Sequence, residues 1–397
     1  MKVLKGLLAT LAILVAVLCG MILLCAVKPE LSAKIGGLLR GEKETVTETQ
    51  IDHPTGGMQR EQETAVAQET EPQTQAKEES PAQTTETVER QPDPEVIPVE
   101  STVARGAGGY EIPDASAIKV PAAVAGKGGY QPIKENSVEM TDAEGGEYTS
   151  SLGYGETGDG LTFDAGLYPY YQMLDEKGKH LYRQVYANAM AVNKDFVPIE
   201  AVPVSRVKDV VESVYNDHPE LFWLNTAFTC KYDKNKICAE LSLEFNELTD
   251  DLAKHSEELG NEANRILTQV QNLGSDEQKE KALHDILIAE VDYDTSAEMN
   301  QSVYSAMVNK KSVCAGYARA LQYLMQRLGI PCYYCTGYAG EDHAWNIVKL
   351  GDSYYNVDVT WDDTPGGEYD YYNKSDKEFS ATHVRRSLAV DLPECNG

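Results

Sequence analysis

Aromatic residues are missing from the first quarter of this 397-residue chain, in which Tyr110 is the first of 32 Phe, Tyr and Trp residues. A hydrophobic core is hard to build without them, so the first third is not expected to fold by itself. Basic residues are also scarce, with 35 Lys and Arg against 63 Asp and Glu, a net charge of −28. Binding to nucleic acid needs clustered positive charge, so nucleic acid is excluded as a partner, as is a basic patch for membrane surfaces.

Residues 6–27 form an apolar run of 22 residues without charge, and Lys2 and Lys5 precede it. As a helix this run is about 33 Å long, enough for a hydrocarbon core of about 30 Å. The lysines favour a cytoplasmic N-terminus. We therefore predict a signal anchor at residues 1–28, which makes the protein single-pass in the cell membrane with an extracellular folded domain. A cleaved signal peptide and a lipid anchor on a cysteine of the run are alternatives that also export the domain.

Residues 42–100 are rich in Glu, Thr, Gln and Pro, with 15 acidic and 4 basic residues and a net charge of −11. Low hydrophobicity and charge of one sign cannot offset the entropy lost on ordering. The tripeptide Gly-Gly-Tyr occurs twice, at residues 108–110 and 128–130, which is too few copies for a repeat architecture. We predict a disordered low-complexity stalk at residues 29–163, with a wall-binding or self-association segment as the alternative.

A folded region is predicted after the stalk, with a helical and partly stranded part at residues 164–274 and a core at residues 275–397. Apolar spacing predicts four helices and two strands before the core. The helices are expected at residues 168–192, 204–216, 252–273 and 276–291, and the strands at residues 221–232 and 237–245. Ser275 and Gln278 have the spacing of a capping box for the last helix.

Cys314 lies near the start of a predicted helix at residues 312–328, with Ser312 as its N-cap and Gly329 at its end. In the first turn, the helix dipole and the free backbone amides favour the thiolate over the thiol. Gly316 leaves room for another backbone or a substrate to come close. A small buried hydrophobic residue is the alternative interpretation of Cys314.

Two strands are predicted at residues 343–350 and 353–361, joined by a Gly-Asp pair typical of a type II′ hairpin turn. In the register of that turn, His343 and Asp358 lie on one face as diagonal neighbours, within reach of each other. His343 would take the proton of Cys314, and Asp358 would fix the ring tautomer and stabilise the imidazolium. The hairpin therefore predicts a nucleophile with its base and orienting carboxylate.

Four sequence segments carry a family resemblance. They are Ser-Val-Cys-Ala-Gly-Tyr-Ala at 312–318, Gly-Ile-Pro at 329–331, His-Ala-Trp-Asn at 343–346 and Asn-Val-Asp-Val-Thr-Trp-Asp at 356–362. In this order they resemble the transglutaminase-like superfamily, and more narrowly the core domain of bacterial exported proteins. The resemblance implies an α+β, papain-like core whose cysteine helix packs on an antiparallel sheet, with Cys314, His343 and Asp358 as the catalytic triad. The sequence departs from the family at Ser312, because many members have a glycine two residues before the cysteine.

The resemblance also implies a reaction, in which a thiolate attacks an amide-type carbonyl and water or an amine resolves the acyl-thioester. Members include protein cross-linkers, peptidases and deglycosylating amidases, and some have lost activity. We predict a cysteine-dependent acyltransferase or peptidase that acts on proteins or peptides and needs no cofactor. The alternative is a catalytically silent interaction module at the cell surface. The sequence separates neither hydrolysis from transamidation nor one oligomeric state from another.

The oxyanion of such a reaction needs hydrogen-bond donors, and the backbone amide of Cys314 is one candidate. The family commonly has an aromatic donor upstream of the cysteine, which makes Tyr293 a candidate here, with a packed core tyrosine as the alternative. Trp345 and Gly316 are further oxyanion or substrate candidates.

No metal site is predicted. Four acidic residues follow the last motif without the regular spacing of a calcium loop, so we expect a solvated acidic loop. They are Asp362, Asp363, Glu368 and Asp370.

Of the remaining cysteines of the folded region, one pair has the spacing of a disulfide. Cys230 and Cys238 are predicted to face each other across a hairpin with a three-residue loop, where an exported protein could form a disulfide. Cys332 and Cys335 should point to opposite faces of one strand, which disfavours a bond between them. Cys395 could either form a disulfide or remain a free thiol.

Overall fold

The part of the chain that can be described, in a computed structural model, comprises residues 104–141, 152–365 and 369–397. The predicted membrane helix at residues 6–27 and the acidic stretch at residues 42–100 lie outside these residues. Among the described helices, none has the length and apolar character needed to cross a membrane.

Helices account for much of the described chain, and most follow the apolar spacing of the sequence. The α-helices are α1 (Pro169–Met173), α2 (Glu176–Met190), α3 (Val204–Asp217), α4 (Leu252–Val270), α5 (Asp276–Glu290), α6 (Val303–Met307), α7 (Cys314–Arg327), α8 (Val359–Asp362) and α9 (Asp376–Phe379). Short 3₁₀ helices occupy Ala115–Ala117, Glu247–Asp251 and Ser387–Asp391.

Local sequence signals account for two of the helix boundaries. The predicted capping box begins α5, because Ser275 and Gln278 exchange side-chain and backbone hydrogen bonds. The single helix predicted at residues 168–192 is two helices, α1 and α2. Leu174 between them has extended backbone angles, and Asp175 caps α2 by accepting a hydrogen bond from the amide of the third helical residue.

The strands of the described residues form two four-stranded sheets and one short pair. The first sheet contains β1 (Lys134–Glu139), β2 (Asp195–Phe196), β3 (Leu224–Tyr232) and β4 (Cys238–Phe245) in the order β1-β3-β4-β2, with β1 parallel to β3. The short parallel pair is β5 (Asp292–Tyr293) with β6 (Lys311–Ser312). The second sheet contains β7 (Cys332–Tyr338), β8 (Asp342–Leu350), β9 (Ser353–Val357) and β10 (Val384–Arg385), all antiparallel, in the order β10-β7-β8-β9.

The predicted stalk at residues 29–163 needs correction where the structure describes it. Strand β1 lies within it and pairs with β3 along six residues. Tyr110, Tyr130 and Ile133 from the same stretch are buried. Composition did not reveal this, because these residues pack against the rest of the domain and build no core of their own.

Helix α7, which begins with Cys314, packs against β7 and β8. It also contacts the end of α3, where the guanidinium of Arg319 donates hydrogen bonds to the carbonyls of Tyr215 (2.7 Å) and His218 (3.0 Å). Gln322, one turn further along α7, donates to the carbonyl of the residue after Tyr215 (2.7 Å). These carbonyls lie at a helix end, where intrahelical donors are lacking.

A single cluster of buried apolar side chains includes residues from both predicted folded parts, 164–274 and 275–397. It contains core residues of α2, α3, β3 and β4 together with those of α7 and β7. Helix α7 is thus held on one side by the second sheet and on another by contacts that cross the predicted boundary.

Candidate active site

Cys314 is the first residue of α7 and is fully buried. The N-cap is Val313, whereas Ser312, the predicted cap, is the last residue of β6 and donates its hydroxyl to the carbonyl of Asn300 (2.7 Å). The cap prediction was wrong because Ser312 pairs with Tyr293 in the β5–β6 pair. Cys314 nevertheless lies in the first turn of the helix, at the positive end of the helix dipole.

The hairpin of β8 and β9 has the register that its turn sequence predicts. Leu350 lies opposite Ser353, and Gly351 has a φ of +60°, as the first central residue of a type II′ turn requires. The predicted second strand at residues 353–361 is too long, because β9 ends at Val357. The chain turns into α8 at the next residue, which is Asp358.

Asp358 caps α8 and contacts His343 at the same time. Its Oδ1 accepts hydrogen bonds from the amides of Thr360 (3.1 Å) and Trp361 (3.2 Å), and its Oδ2 accepts one from Nε2 of His343 (2.6 Å). All of these groups are buried. The structure therefore brings together the histidine and the aspartate that the hairpin pattern predicted, although Asp358 reaches His343 from a helix cap and not from a strand.

The charges of this pair stabilise each other. Burial alone would lower the pKa of His343, but the Asp358 charge, Cys314 and hydrogen bonds to both raise it to about 10. Burial would likewise raise the pKa of Asp358, but the charge of His343 and hydrogen bonds from two histidines hold it well below its usual range. We conclude that an imidazolium–carboxylate pair is the favoured state at neutral pH.

The second ring nitrogen of His343 is directed to the thiol side of the site. Nε2 is taken by Asp358, and Nδ1 is buried without a hydrogen bond of ordinary geometry to any described residue. Cys314 lies close enough to contribute to the raised pKa of the ring. Nδ1 is therefore the ring nitrogen available to exchange a proton with the Cys314 thiol.

His383, which sequence analysis did not single out, is the second histidine on Asp358. Its Nε2 donates to Oδ2 of Asp358 (3.2 Å), and its Nδ1 lies 2.8 Å from the hydroxyl of Thr382. Burial lowers the pKa of His383 to about 4, so the ring is neutral and acts as a donor. Its ring is stacked on Phe379 (centroids 4.3 Å apart) and lies 4.4 Å from the ring of Trp361. No local motif marks His383, because its position depends on how the chain after α9 returns to β7.

Three metal-ligating side chains come together at this point of the described chain. His343, Asp358 and His383 are buried, and their ligand atoms lie within 4.8 Å of one another. The carboxylate already accepts hydrogen bonds from both rings and from two amides. These three residues therefore form a hydrogen-bonded network that keeps the carboxylate of Asp358 ionised.

Tyr293, the predicted oxyanion donor, packs against the cluster that contains Cys314. Its hydroxyl lies 2.9 Å from the carbonyl oxygens of both Gly126 and Gly128, to which it can donate its single proton. Burial, followed by the influence of Cys314, raises its pKa. Tyr293 is thus near the thiol, and its hydroxyl group donates to the backbone of Gly126 or Gly128, which precede it in the chain.

Trp345 and Gly316 have structural contacts that account for their presence. The indole N–H of Trp345 donates to the side chain of Asn356 (3.0 Å), which leaves it unable to serve an oxyanion, and its ring stacks at 6.2 Å from that of His343. A β-carbon on Gly316 would lie 1.8 Å from the hydroxyl oxygen of Ser312. The close approach of Ser312 therefore requires a glycine at this position.

The acidic residues after the last motif are not a solvated loop as a group, which corrects that prediction. Asp362 is buried and pairs with Nε2 of His284 (3.1 Å), and Asp363 accepts a hydrogen bond from the hydroxyl of Tyr317 (2.7 Å). Asp370 is exposed. Glu368 lies outside the described residues.

The described cysteines are all free and buried. The thiols of Cys230 and Cys238 meet at 2.9 Å, but not by the predicted register, because Cys238 pairs with Tyr232 and a β-bulge shifts the strands. Cys332 and Cys335 belong to different apolar clusters, which agrees with the prediction of opposite faces.

Comparison with known proteins gives a family match within the folded region. Residues 264–359 match the transglutaminase-like superfamily. Comparison with curated proteins gave no match.

The chain is also similar to several solved structures, with low TM-scores. A Cytophaga hutchinsonii protein assigned as a cysteine protease is 16% identical, with 38% of this chain and 55% of that chain covered and a TM-score of 0.26. The periplasmic domain of TgpA from Pseudomonas aeruginosa is also 16% identical, with 33% and 58% covered and a TM-score of 0.24. A TGase is 11% identical, with 57% and 59% covered and a TM-score of 0.24.

The chain thus spans little more than half of the length of each of these structures. The match over residues 264–359, which contains Cys314, His343 and Asp358, places this part of the chain in the transglutaminase-like superfamily.

Proposed function

We propose that this protein is a cysteine-dependent enzyme that acts on amide bonds of proteins or peptides through an acyl-thioester. The observation that carries the proposal is the buried pair of His343 and Asp358, 2.6 Å apart, beside Cys314 at the start of α7. The family match supports it, because the superfamily includes cysteine enzymes.

The arrangement divides the reaction into two steps. In the first, the thiolate of Cys314 adds to the carbonyl carbon of the substrate, and backbone amides in the first turn of α7 are candidate donors to the oxyanion. His343, which holds the thiol proton, gives it to the leaving amine as the C–N bond breaks. In the second step, water or a primary amine loses a proton to His343 and attacks the thioester. As the C–S bond breaks, the acid or the new amide leaves and His343 returns the proton to the sulfur of Cys314.

Asp358 contributes to both steps by holding the histidine. Its carboxylate fixes the proton of His343 on Nε2 in the neutral ring, so that Nδ1 faces the thiol, and it stabilises the imidazolium formed in each step. The helix cap holds Asp358 in turn, because two backbone amides of α8 bind its other oxygen.

We place this enzyme at the outer face of the cell membrane. The support is the uncharged run at residues 6–27 with lysines before it. An extended acidic segment between the run and the domain would allow the active site to stand off from the membrane.

A catalytically silent interaction module is the second candidate. The observation that favours it is burial, because Cys314 and His343 have no exposed surface and Asp358 is 1% exposed. An enzyme must admit its substrate to these groups, whereas a silent module need not.

Product analysis on the detergent-solubilised full chain tests the proposal. The protein is incubated with a peptide mixture in ¹⁸O-water, with and without a biotinylated primary amine. Wild type should produce ¹⁸O-labelled carboxylates or amine adducts, and Cys314→Ala should produce neither. His343→Ala should reduce turnover by about 10²–10⁴-fold, the usual contribution of a general base. Cys332→Ala is the matched control, because this cysteine is also buried but packs in a different cluster, and it should turn over like wild type.

Two results together would contradict the enzyme and favour the silent module. One is absence of turnover in wild type. The other is alkylation of Cys314 by iodoacetamide at the same rate in wild type and in folded His343→Ala.

A further inference from the structure

An upstream segment of the chain passes directly over the candidate active site. We call residues 126–131 the covering segment. A β-carbon on Gly129 would lie 3.1 Å from the side chain of Val313, the residue before the nucleophile. A β-carbon on Gly128 would lie 2.9 Å from the carbonyl oxygen of Asp342, the residue before His343. The covering segment therefore lies between the start of α7 and the start of β8.

Several polar contacts of the covering segment involve its backbone. Tyr293 is positioned to donate to the carbonyl oxygens of Gly126 and Gly128 (both 2.9 Å). The side-chain amide of Gln301 donates to the carbonyl of Gly129 (2.9 Å) and accepts from the amide of Gln131 (2.9 Å). A side-chain amide that bonds to the carbonyl of one residue and to the amide two residues later recognises the backbone of an extended peptide. Such recognition does not depend on the side chains of that peptide.

One side chain of the covering segment anchors it in the site. Tyr130 is buried in a cluster that also contains Cys314 and Ala344, and its ring meets Tyr334 edge-on at 6.2 Å between centroids. Lys127 lies over the ring of Tyr293 and donates to a backbone carbonyl near the end of α8. The aromatic ring of Tyr130 thus packs in the same apolar cluster as the candidate nucleophile.

The path continues beyond the covering segment into an open cleft of about 440 Å³. Its lining includes Gln131 and Gln301, together with Asn300 and Phe222. A longer peptide on the same path would have room to extend there.

We propose that the covering segment occupies the substrate cleft as an intramolecular pseudosubstrate, and that the cleft binds an extended peptide with two adjacent glycines followed by an aromatic residue. This rests on the proposed function, because it identifies the substrate class of the same site. The glycine requirement follows from the close approaches at Gly128 and from the φ of +95° at Gly129, which L-residues rarely adopt. The aromatic requirement follows from the pocket of Tyr130.

The second Gly-Gly-Tyr of the chain provides a matched control. A β-carbon on Gly108 would lie 2.2 Å from the carbonyl oxygen of Leu392, and the hydroxyl of Tyr110 accepts a hydrogen bond from the amide of Arg385 (3.1 Å). The same tripeptide therefore packs equally closely there, against residues near the C-terminus and without the thiol.

The first test measures how fast iodoacetamide alkylates Cys314 in the full chain, from the masses of digested peptides. The double variant Gly128→Ala/Gly129→Ala should displace the covering segment and raise the rate at least tenfold. Gly108→Ala/Gly109→Ala should react like wild type. Tyr130→Ala removes the anchor without adding bulk and should also raise the rate, which keeps the test decisive if the first variant does not fold. Equal rates in wild type and both folded site variants would overturn the proposal.

The second test asks whether the freed cleft binds the same sequence. A capped hexapeptide Gly-Lys-Gly-Gly-Tyr-Gln, with the sequence of residues 126–131, should slow alkylation of the displaced variant in a saturable way. The peptide with both central glycines replaced by alanine should not. Lack of protection by the glycine peptide, or equal protection by both peptides, would overturn the assignment of substrate class.

These tests distinguish failure of the proposed enzymatic function from failure of the pseudosubstrate proposal. If Cys314 is not an activated nucleophile, His343→Ala in the displaced variant leaves the alkylation rate unchanged, and peptide protection can still be measured. If the inference alone fails, the rate depends on His343 but the peptides do not protect.

Discussion

Replacing Asp358 with asparagine keeps the shape of the side chain and removes its negative charge. The carboxylate oxygen lies 2.6 Å from Nε2 of His343, and both groups are buried. At an effective dielectric constant of about 20, two unit charges at this distance attract each other by roughly 6 kcal/mol. That energy corresponds to a pKa change of roughly 4 to 5 for the histidine.

Starting from a pKa of about 10, His343 in Asp358→Asn should therefore titrate at roughly pH 6 or below. At pH 7.5 the protonated fraction would fall from nearly complete to roughly 3%. Selective ¹⁵N labelling of the seven histidines allows the ring nitrogens to be followed by NMR as the pH changes, and His343→Gln assigns the signal.

A second buried histidine–aspartate pair supplies the control. Asp362 contacts His284 at 3.1 Å and does not contact His343, so Asp362→Asn should leave the titration of His343 close to that of wild type. A His343 pKa that stays above about 8 in folded Asp358→Asn would refute the reasoning, because the carboxylate would then not be the source of the raised pKa.

The same shift predicts how stability depends on pH. The pKa of His343 in the folded state, about 10, exceeds its ordinary value of 6.5. Its contribution is therefore fully present below pH 6.5 and is lost as the pH rises through 10. The difference in free energy of unfolding between wild type and Asp358→Asn should shrink over this range, as measured by urea denaturation at several pH values.

Two further predictions concern other parts of the chain. His383→Phe should lower the free energy of unfolding by about 1.5–3 kcal/mol, the usual value for a hydrogen bond to a charged group, and His383→Gln should lose less in urea denaturation because it keeps a donor. Because the pKa of His383 is lowered to about 4, its contribution is present above pH 6.5 and is lost as the pH falls through 4, so a wild-type stability curve that matches His383→Phe over this range would contradict the assignment. Protease added to intact cells should digest the domain after residue 164, and digestion in lysed cells alone would reverse the proposed orientation.

Features set by local chemistry were predictable from the sequence. The capping box of Ser275 and Gln278 and the turn at Gly351 depend on neighbouring residues, and both occur where the pattern indicated. The approach of Asp358 to His343 followed from the register of that turn. The end of β9 did not, because a capping interaction within α8 competes with strand pairing for the same residue.

Features set by distant parts of the chain were not predictable in this way. His383 and Tyr130 reach the site from segments that are far from Cys314 in sequence, and no local pattern links either segment to the site. The covering segment is glycine-rich, and its composition indicates a linker. Its order comes from Tyr293 and Gln301, whose partners no local pattern reveals.

The hydrogen bonds from Arg319 to the end of α3 have a consequence for how the domain can be divided. Cutting the chain at residue 274 would leave a buried guanidinium on the nucleophile helix without its acceptors, and the facing carbonyls without donors. It would also split the apolar cluster that both parts share. The region that matches the superfamily is therefore not an autonomous unit of stability, and the helix that carries Cys314 acquires its position cooperatively with the residues that precede it.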